Sequence, residues 1–223
     1  PEPGIGDWAT PPADGGLGDD VSSGNVDLRG EALRSARAGY YGLINHVDDQ
    51  IRRLLNPVDG IDRRTGGNTV VMFTSDHGEM LGDHYLWRKI VPFEPSARVP
   101  LLCRAPQRFE LKRRSAIDAP VCLEDVMPTA LDFARVDVPS TVEGRSLLPL
   151  MRGETPSWRE HLHIEHAPVH QTLTDGKEKY IWMTQSGQEL FFDLTNDPNE
   201  TRNLAGDGAH ASRVSQWRGK LID

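Results

Sequence analysis

An acid, an imidazole and a glycine stand together at Asp76, His77 and Gly78, shortly after the apolar run 70–73. The run is rich in β-branched and aromatic residues, which predicts a strand buried on both faces. Loops at the carboxyl ends of strands line the ligand crevice of open α/β sheets. Carboxylate oxygens and imidazole nitrogens are ligands of divalent cations. Asp76 and His77 are therefore candidate metal ligands, and Gly78 allows a sharp turn or the close approach of a ligand.

A structural interpretation of these residues is also open. Asp76 could cap a helix that begins near Glu79, and His77 could be an ordinary polar loop residue. A tripeptide alone is a weak motif, so the residues that follow it have to decide between the two interpretations.

The longer string 69–100, TVVMFTSDHGEMLGDHYLWRKIVPFEPSARVP, resembles a segment of the sulfatase family, within the alkaline-phosphatase-like superfamily. The likeness includes T-S-D-H-G, then W-x-K, then F-E-x-S-x-R-V-P at fixed spacings. The resemblance implies that Asp76 and His77 are ligands of an active-site divalent metal and that Lys89 contacts the sulfate or phosphoryl group. A lysine suits this role, because its compact charge can neutralise an anionic ester oxygen.

The elements around this segment predict an α/β fold. Apolar residues recur every three or four positions over 31–55, which indicates a long helix that Asn56-Pro57 ends. Strands are predicted near 69–74 and 99–103. The resemblance implies that they belong to an alkaline-phosphatase-like, mostly parallel sheet flanked by helices, of which only part is present.

The chain divides into three predicted parts. Residues 1–30 form a loop or linker, 31–153 the carboxyl-terminal part of the sulfatase α/β core, and 154–223 an antiparallel subdomain. Four strand-like runs separated by turns such as Asp175-Gly176 and Ser186-Gly187 predict a sheet of about four strands, and 209–222 predicts a closing helix.

Three further groups of residues have side chains of types found in such sites. We expect His84, Trp87 and the loop 166–170 to line the mouth of the pocket. The histidines of 161–170 are more simply surface or packing residues, because an extended strand spreads its side chains along its length. Asp19 and Asp20 lie in glycine-rich coil, which does not favour the role of paired metal aspartates.

No nucleophile motif is present. Sulfatases carry Cys or Ser followed by x-Pro-x-Arg, and the first residue becomes formylglycine. After Cys103, proline and arginine each come one position too late, and Cys122 has neither at the right spacing. The resemblance therefore predicts the carboxyl-terminal half of an enzyme, with formylglycine in the missing half. Alone, this chain is expected to bind metal weakly and to lack turnover.

The composition limits the classes of partner that the chain is expected to bind. The 223 residues carry a formal net charge of -8, which argues against a general binder of nucleic acid or of anionic membranes. No membrane span is predicted, and two cysteines mildly favour a reducing compartment. Localisation, cytoplasmic or periplasmic, and oligomeric state stay open.

The resemblance implies a small-molecule sulfate ester as substrate and a divalent metal as cofactor. Calcium is the family's usual ion, whereas the imidazole of His77 suits manganese or zinc better, and magnesium is possible. Two alternatives remain open: a phosphonate or phosphate ester hydrolase of the same superfamily, and a non-catalytic module that keeps the fold.

Overall fold

The computed structural model describes residues 2–12, 24–65 and 67–222, which combine helices and strands in an α/β fold, as predicted. Asp19 and Asp20 lie outside the described residues. Within the described ranges, no helix is both long and apolar enough to span a bilayer. The three-part division of the chain stays a prediction.

The first helix, α1 (Gly30–Thr65), continues past its predicted end and contains Pro57. The prediction that Pro57 ends the helix was wrong. A proline inside a helix removes one backbone hydrogen bond, and here the turns that follow it make contacts with later residues. Asp59 pairs with Arg104 at 2.7 Å, and Asp62 accepts hydrogen bonds from the residues just beyond the helix.

Two short strands follow, β1 (Val71–Thr74) and β2 (Leu101–Arg104), and they pair antiparallel. The expected parallel sheet is not found among the described residues. A parallel pair requires a crossover, usually a long helix, and the connection 75–100 holds only short helical turns. The prediction that β1 is buried on both faces was also wrong, since Phe73 is 37% exposed and Leu102 of β2 is 63% exposed.

The register of this pair places Thr74 opposite Leu101. The loop 75–100, which carries Asp76, His77 and Lys89, therefore leaves the sheet and returns to it at the same end. α1 packs against this loop, because the Arg37 guanidinium donates to the Leu81 carbonyl at 2.9 Å and to Asp83 at 3.1 Å.

Short helices and turns after β2 enclose a small core. α2 (Glu94–Ala97) precedes β2, and α3 (Val126–Ala134) and α4 (Leu148–Arg152) follow it. The buried side chains of this core, which pack against Val70, Leu101 and Cys103, are Phe109, Phe133, Leu147, Leu148 and Met151.

A buried ion pair ties this core to the chain that enters the last sheet. The Asp125 carboxylate is fully buried and binds the Arg159 guanidinium through both oxygens, at 2.5 and 2.7 Å. It also accepts the backbone amides of Arg145 and Cys122. Burial by itself would raise the pKa of Asp125, but these hydrogen bonds outweigh it and hold the pKa below its ordinary value.

The four-stranded antiparallel sheet in the last third is confirmed. Its strands lie in the order of the chain: β3 (Leu162–His166), β4 (His170–Thr174), β5 (Glu178–Met183) and β6 (Glu189–Asp193). Gly176 and Gly187 occupy the predicted turns with φ of 83° and 72°, a conformation that favours glycine. α5 (Ala211–Ile222) is the predicted closing helix.

Both faces of this sheet are covered. Leu173, Tyr180 and Phe191 pack against Val214 and Trp217 of α5. Alternate residues of the same strands point the other way. On that face Ile181, Leu190 and Phe192 form one cluster with Met80 and Phe93, which belong to the loop 75–100. The sheet is therefore the support on which the candidate site loop lies.

Candidate functional site

The turn after β1 presents two metal-ligating side chains to solvent. The Asp76 side chain is 85% exposed and that of His77 is 41% exposed, with 3.6 Å between Asp76 Oδ2 and His77 Nε2. The His77 amide donates to Asp76 Oδ1 at 3.0 Å, and the Ser75 hydroxyl donates to the His77 carbonyl at 2.7 Å. These local bonds fix the turn and leave one carboxylate oxygen facing the imidazole.

The imidazole of His77 is held in the tautomer that a metal needs. Its Nδ1 lies 2.8 Å from the Gly78 carbonyl oxygen. A carbonyl can only accept, so Nδ1 carries the proton and donates it, which leaves the lone pair of Nε2 available. A backbone acceptor on the second ring nitrogen is a usual companion of a metal-bound histidine.

Asp76 and His77 fit a divalent cation as part of its ligand shell. Protein oxygens and nitrogens lie about 2.0–2.6 Å from such ions, so two donors 3.6 Å apart can reach the same ion. Among the described residues, no three His, Cys, Asp or Glu side chains gather around one point. Calcium takes about six to eight ligands, so this turn supplies a minority of them.

Gly78 is required by a close backbone contact. A Cβ at this position would lie 2.0 Å from the Pro95 carbonyl oxygen. The Gly78 amide donates to the Ser96 carbonyl and the Glu79 amide to the Pro95 carbonyl, both at 2.8 Å. The candidate metal turn is therefore bonded directly to the backbone of α2.

The segment that carries Lys89 lies beside the beginning of the loop. The Met80 amide donates to the Arg88 carbonyl at 2.9 Å, and the Glu79 carboxylate accepts the Arg88 amide. These bonds bring the chain back beside the residues that follow Gly78, and Lys89 comes next, with its side chain exposed.

The backbone of this loop is strained. Five residues other than glycine have positive φ: Leu81 (50°), His84 (56°), Tyr85 (64°), Arg88 (69°) and Ile90 (83°). Each such conformation costs on the order of 1–3 kcal/mol and persists only where the surroundings impose it. Strain of this kind gathers at functional sites, and it lies here on both sides of Lys89.

His84 and Trp87 lie inside the loop. His84 is 3% exposed, accepts the Gly6 amide on Nδ1 at 3.0 Å, and has its ring 4.7 Å from that of Trp8. Burial lowers the pKa of His84. Trp87 is half-buried and donates from Nε1 to the Val26 carbonyl at 3.2 Å. Both side chains have packing partners here, and their contact with a substrate stays a prediction.

The loop 166–170 lies near the candidate lysine through its last residue. His170 is 2% exposed, and burial lowers its pKa to about 4, while the nearby backbone of Ile90, the residue after Lys89, opposes this shift. On the neighbouring strand β3, His163 hydrogen-bonds Gln171 of β4 at 2.6 Å. Lining of the pocket mouth by this loop stays a prediction.

Three charged residues behind the loop were not identified from the sequence. Lys179 of β5 is fully buried and binds the carboxylates of Glu94 and Glu200 at 2.8 and 2.7 Å. The signal in the sequence was a lysine at the start of the run K-Y-I, together with acids in the motifs that contain Glu94 and Glu200. It is a weak one, since lysines in strands usually face solvent.

Known proteins resemble this chain over most of its length. A family model described as "Sulfatase" matches residues 11–136, and one described as "N-sulphoglucosamine sulphohydrolase, C-terminal" matches residues 82–223. An arylsulfatase of Clostridium perfringens is 38% identical over 226 residues, covering 100% of this chain and 47% of that protein.

Two solved structures share the fold. One is of a protein in complex with its substrate D-glucosamine-2-N,6-O-disulfate, with a TM-score of 0.75 and 31% identity over 88% of this chain and 42% of the other. The other is a phosphonate monoester hydrolase from Silicibacter pomeroyi, with a TM-score of 0.73, 31% identity and the same coverage. The chain spans less than half of the length of each of these three relatives.

Proposed function

Because the chain belongs to the sulfatase family, within the alkaline-phosphatase-like superfamily, we propose that it is part of a metal-dependent sulfuric ester hydrolase. The observation that carries the proposal is the turn at Asp76 and His77, where a carboxylate and a correctly oriented imidazole nitrogen share one exposed position. The exposed ammonium of Lys89 lies in the same loop. This combination suits a small anionic ester.

Each of the three residues has a separate task. Asp76 and His77 would hold the divalent cation, which when bound polarises the ester oxygens. Lys89 would contact the sulfate group and neutralise the negative charge that grows on its oxygens. The backbone bonds from Gly78 and Glu79 to α2 keep the turn in place without using either ligand side chain.

We propose calcium as the ion, as the family resemblance implies, with manganese and magnesium as competitors. The Asp76 carboxylate is a hard ligand suited to calcium and magnesium. The His77 nitrogen favours manganese over both. Since the turn offers two residues, other oxygen ligands have to complete the shell.

Neither cysteine has the character of a nucleophile. Burial raises the pKa of Cys103, and burial together with neighbouring acids raises the pKa of Cys122 to about 12. Thiolate is therefore scarce at both positions near neutral pH. The formylglycine that the family implies has no counterpart at either cysteine.

For the substrate we propose a small-molecule sulfate ester, with a sugar sulfate as one class to test. The relative that binds a glucosamine disulfate supports this choice. The likeness to a phosphonate monoester hydrolase supports the second candidate, a phosphonate or phosphate ester hydrolase on the same frame.

A substrate screen tests this proposal in the longer protein that contains the chain. Hydrolysis of an aryl sulfate, a sugar sulfate and a phosphonate monoester would be compared at equal metal concentration. We expect the highest kcat/KM with a sulfate ester. Preference for the phosphonate would replace the first proposal by the second, and absence of turnover with all three would favour the non-catalytic module.

Calorimetric titration of the same protein tests the ligand assignment independently. Calcium, manganese and magnesium would each be titrated into the unsubstituted protein and into Asp76→Asn, with Asp118→Asn, an exposed acid in another loop, as the matched control. We expect Asp76→Asn alone to weaken binding. Equal affinity in all three proteins would show that the metal turn is misplaced.

A further inference from the structure

The buried ammonium of Lys179 has three close partners. Nζ donates to the Pro92 carbonyl at 2.8 Å and to Glu200 Oε1 at 2.7 Å, and it forms an ion pair with Glu94 Oε1 at 2.8 Å. Two of its three partners belong to the candidate site loop.

Glu200 completes the attachment from the opposite side. Its side chain is fully buried, and Oε2 accepts the backbone amide of Glu94 at 2.7 Å. Its carbonyl oxygen accepts Nε1 of Trp8, also at 2.7 Å, and its φ is 54°. Lys179 and Glu200 thus bind Glu94 through both its side chain and its backbone.

The attachment reaches both parts of the candidate site. Glu94 is the first residue of α2, whose Pro95 and Ser96 carbonyls accept the amides of Glu79 and Gly78. On the other side, Pro92 lies three positions after Lys89.

Stability alone does not account for a buried ion pair at this place. Removing two charges from water is costly, and a well-packed apolar pair is often as stable or more stable. The neighbouring side chains Ile181, Leu190 and Phe192 already form an apolar core. A charged pair differs from an apolar one in fixing the direction of the backbone groups that it binds.

We propose that Lys179 and Glu200 are positioning residues that hold the metal turn and the Lys89 segment in their relative places. This inference rests on the proposed function for the identity of the site. Lys179 and Glu200 therefore take part in the reaction indirectly, through Glu94, without touching the substrate.

The test compares the loss of two different buried ion pairs in the longer protein. Lys179→Met removes the attachment to the site loop, whereas Arg159→Met removes the partner of Asp125 at a place outside that loop. Amide hydrogen exchange would be followed at Gly78 and Glu79, together with the melting temperature, kcat and KM. Glu94→Gln is the milder second variant, since it leaves the pair of Lys179 and Glu200 intact.

We expect Lys179→Met to speed exchange at the Gly78 and Glu79 amides by about tenfold or more, and to lower kcat more than it changes KM. Glu94→Gln should do the same to a smaller extent and carries the test if Lys179→Met does not fold. Arg159→Met should lower the melting temperature without selectively speeding exchange at these two amides.

Two results would overturn the inference. One is unchanged exchange at Gly78 and Glu79 in both loop-side variants, and the other is an equal increase in Arg159→Met. Exchange is measured without substrate, so it separates the two proposals. Selective loosening in a protein that cleaves no sulfate ester would retain the positioning role and remove the proposed function.

Discussion

The last sheet and the first helix with its strand pair treat their apolar residues in opposite ways. The sheet of β3 to β6 packs against other elements on both faces, and Ile181 and Phe192 have no exposed surface, although Trp182 is 40% exposed. The first region leaves large apolar side chains open to solvent: Leu43 (66%), Leu54 (71%), Leu102 (63%) and Phe73 (37%). Phe73 and Leu102 are paired across the two strands, and Leu43 and Leu54 belong to α1. Large contiguous apolar surface on a protein marks a place where a partner binds.

The candidate chemistry lies between these two regions. Asp76 and His77 extend from the end of β1, in the region with open faces, while the loop behind them is attached to the closed sheet. A self-contained core can hold a strained loop, because it does not have to rearrange when the open faces are covered. The closed sheet therefore supports the candidate site, whereas the exposed apolar surface belongs to the first helix and its strand pair.

Removing one large apolar side chain from each region should show the largest contrast. Trp217 is 1% exposed and packs under the last sheet, so Trp217→Ala should cost about 3–5 kcal/mol in the free energy of unfolding. Leu54→Ala should change it by about 0.5 kcal/mol or less, because that side chain is already 71% exposed. Urea unfolding of both variants measures this. Equal losses would mean that Leu54 is covered in solution.

Loss of the candidate lysine should affect turnover and leave the fold unchanged. In the longer protein, Lys89→Ala should lower kcat by about 10²–10³, the usual cost of removing one group that stabilises developing charge. Lys177→Ala, an exposed lysine of the last sheet, is the control and should retain activity. Steady-state kinetics and melting temperatures check this. A similar kcat in both variants would remove Lys89 from the site.

Acid should destabilise the last sheet at His170, where it meets the site loop. Burial, and then the nearby His166, lower the pKa of His170 to about 4, although the nearby backbone of Ile90 opposes the shift. The folded protein therefore keeps this ring neutral, whereas the unfolded chain takes up a proton below about pH 6.5. Stability from this group is present above pH 6.5 and is lost as the pH falls towards 4.

Replacing the ring measures that contribution. We expect about 2 kcal/mol of acid-dependent stability between pH 6.5 and 4 to disappear in His170→Gln, while His163→Gln, which is exposed, keeps it. Chemical unfolding at several pH values gives both slopes. If His170→Gln retained the slope of the unsubstituted protein, its acid sensitivity would have another origin.

Two glycines of the last sheet and its helix should respond in opposite directions. Neither Gly176 nor Gly219 has an atom within 4 Å of an added Cβ, so only backbone conformation differs. Gly176→Ala should destabilise by about 1–2 kcal/mol, because its φ is 83°. Gly219→Ala, inside α5, should stabilise by about 0.5–1 kcal/mol. Thermal unfolding measures both, and effects of the same sign would contradict the assignment of the turn.

Local patterns in the sequence were sufficient for the last sheet. Alternating runs separated by Asp175-Gly176 and Ser186-Gly187 predict strands and turns, because a hairpin is decided by neighbours in the chain. The fold class and family membership were also predicted correctly from motif spacing. The roles of Asp76, His77 and Lys89 were assigned in the same way and stay predictions.

The errors came from contacts distant in sequence. Beyond Pro57, α1 meets Arg104 through Asp59, a contact that no local pattern reveals. The antiparallel pairing of β1 and β2 depends on the path of a long loop. The place of Lys179 was missed because a lysine next to an apolar run gives no sign of a buried acid far along the chain.

The two ends of the loop 75–100 are held at a fixed separation, so the length of the loop can change without changing the strand pair. The register of β1 with β2 sets the distance between Thr74 and Leu101 whatever the chain does between them. Doubling the length of a flexible loop costs only about 0.6 kcal/mol in closure entropy. Insertions at an exposed point of the loop 75–100 would therefore leave the register of the strand pair unchanged, whereas insertions between Leu81 and Trp87 would disrupt the packing of the buried His84.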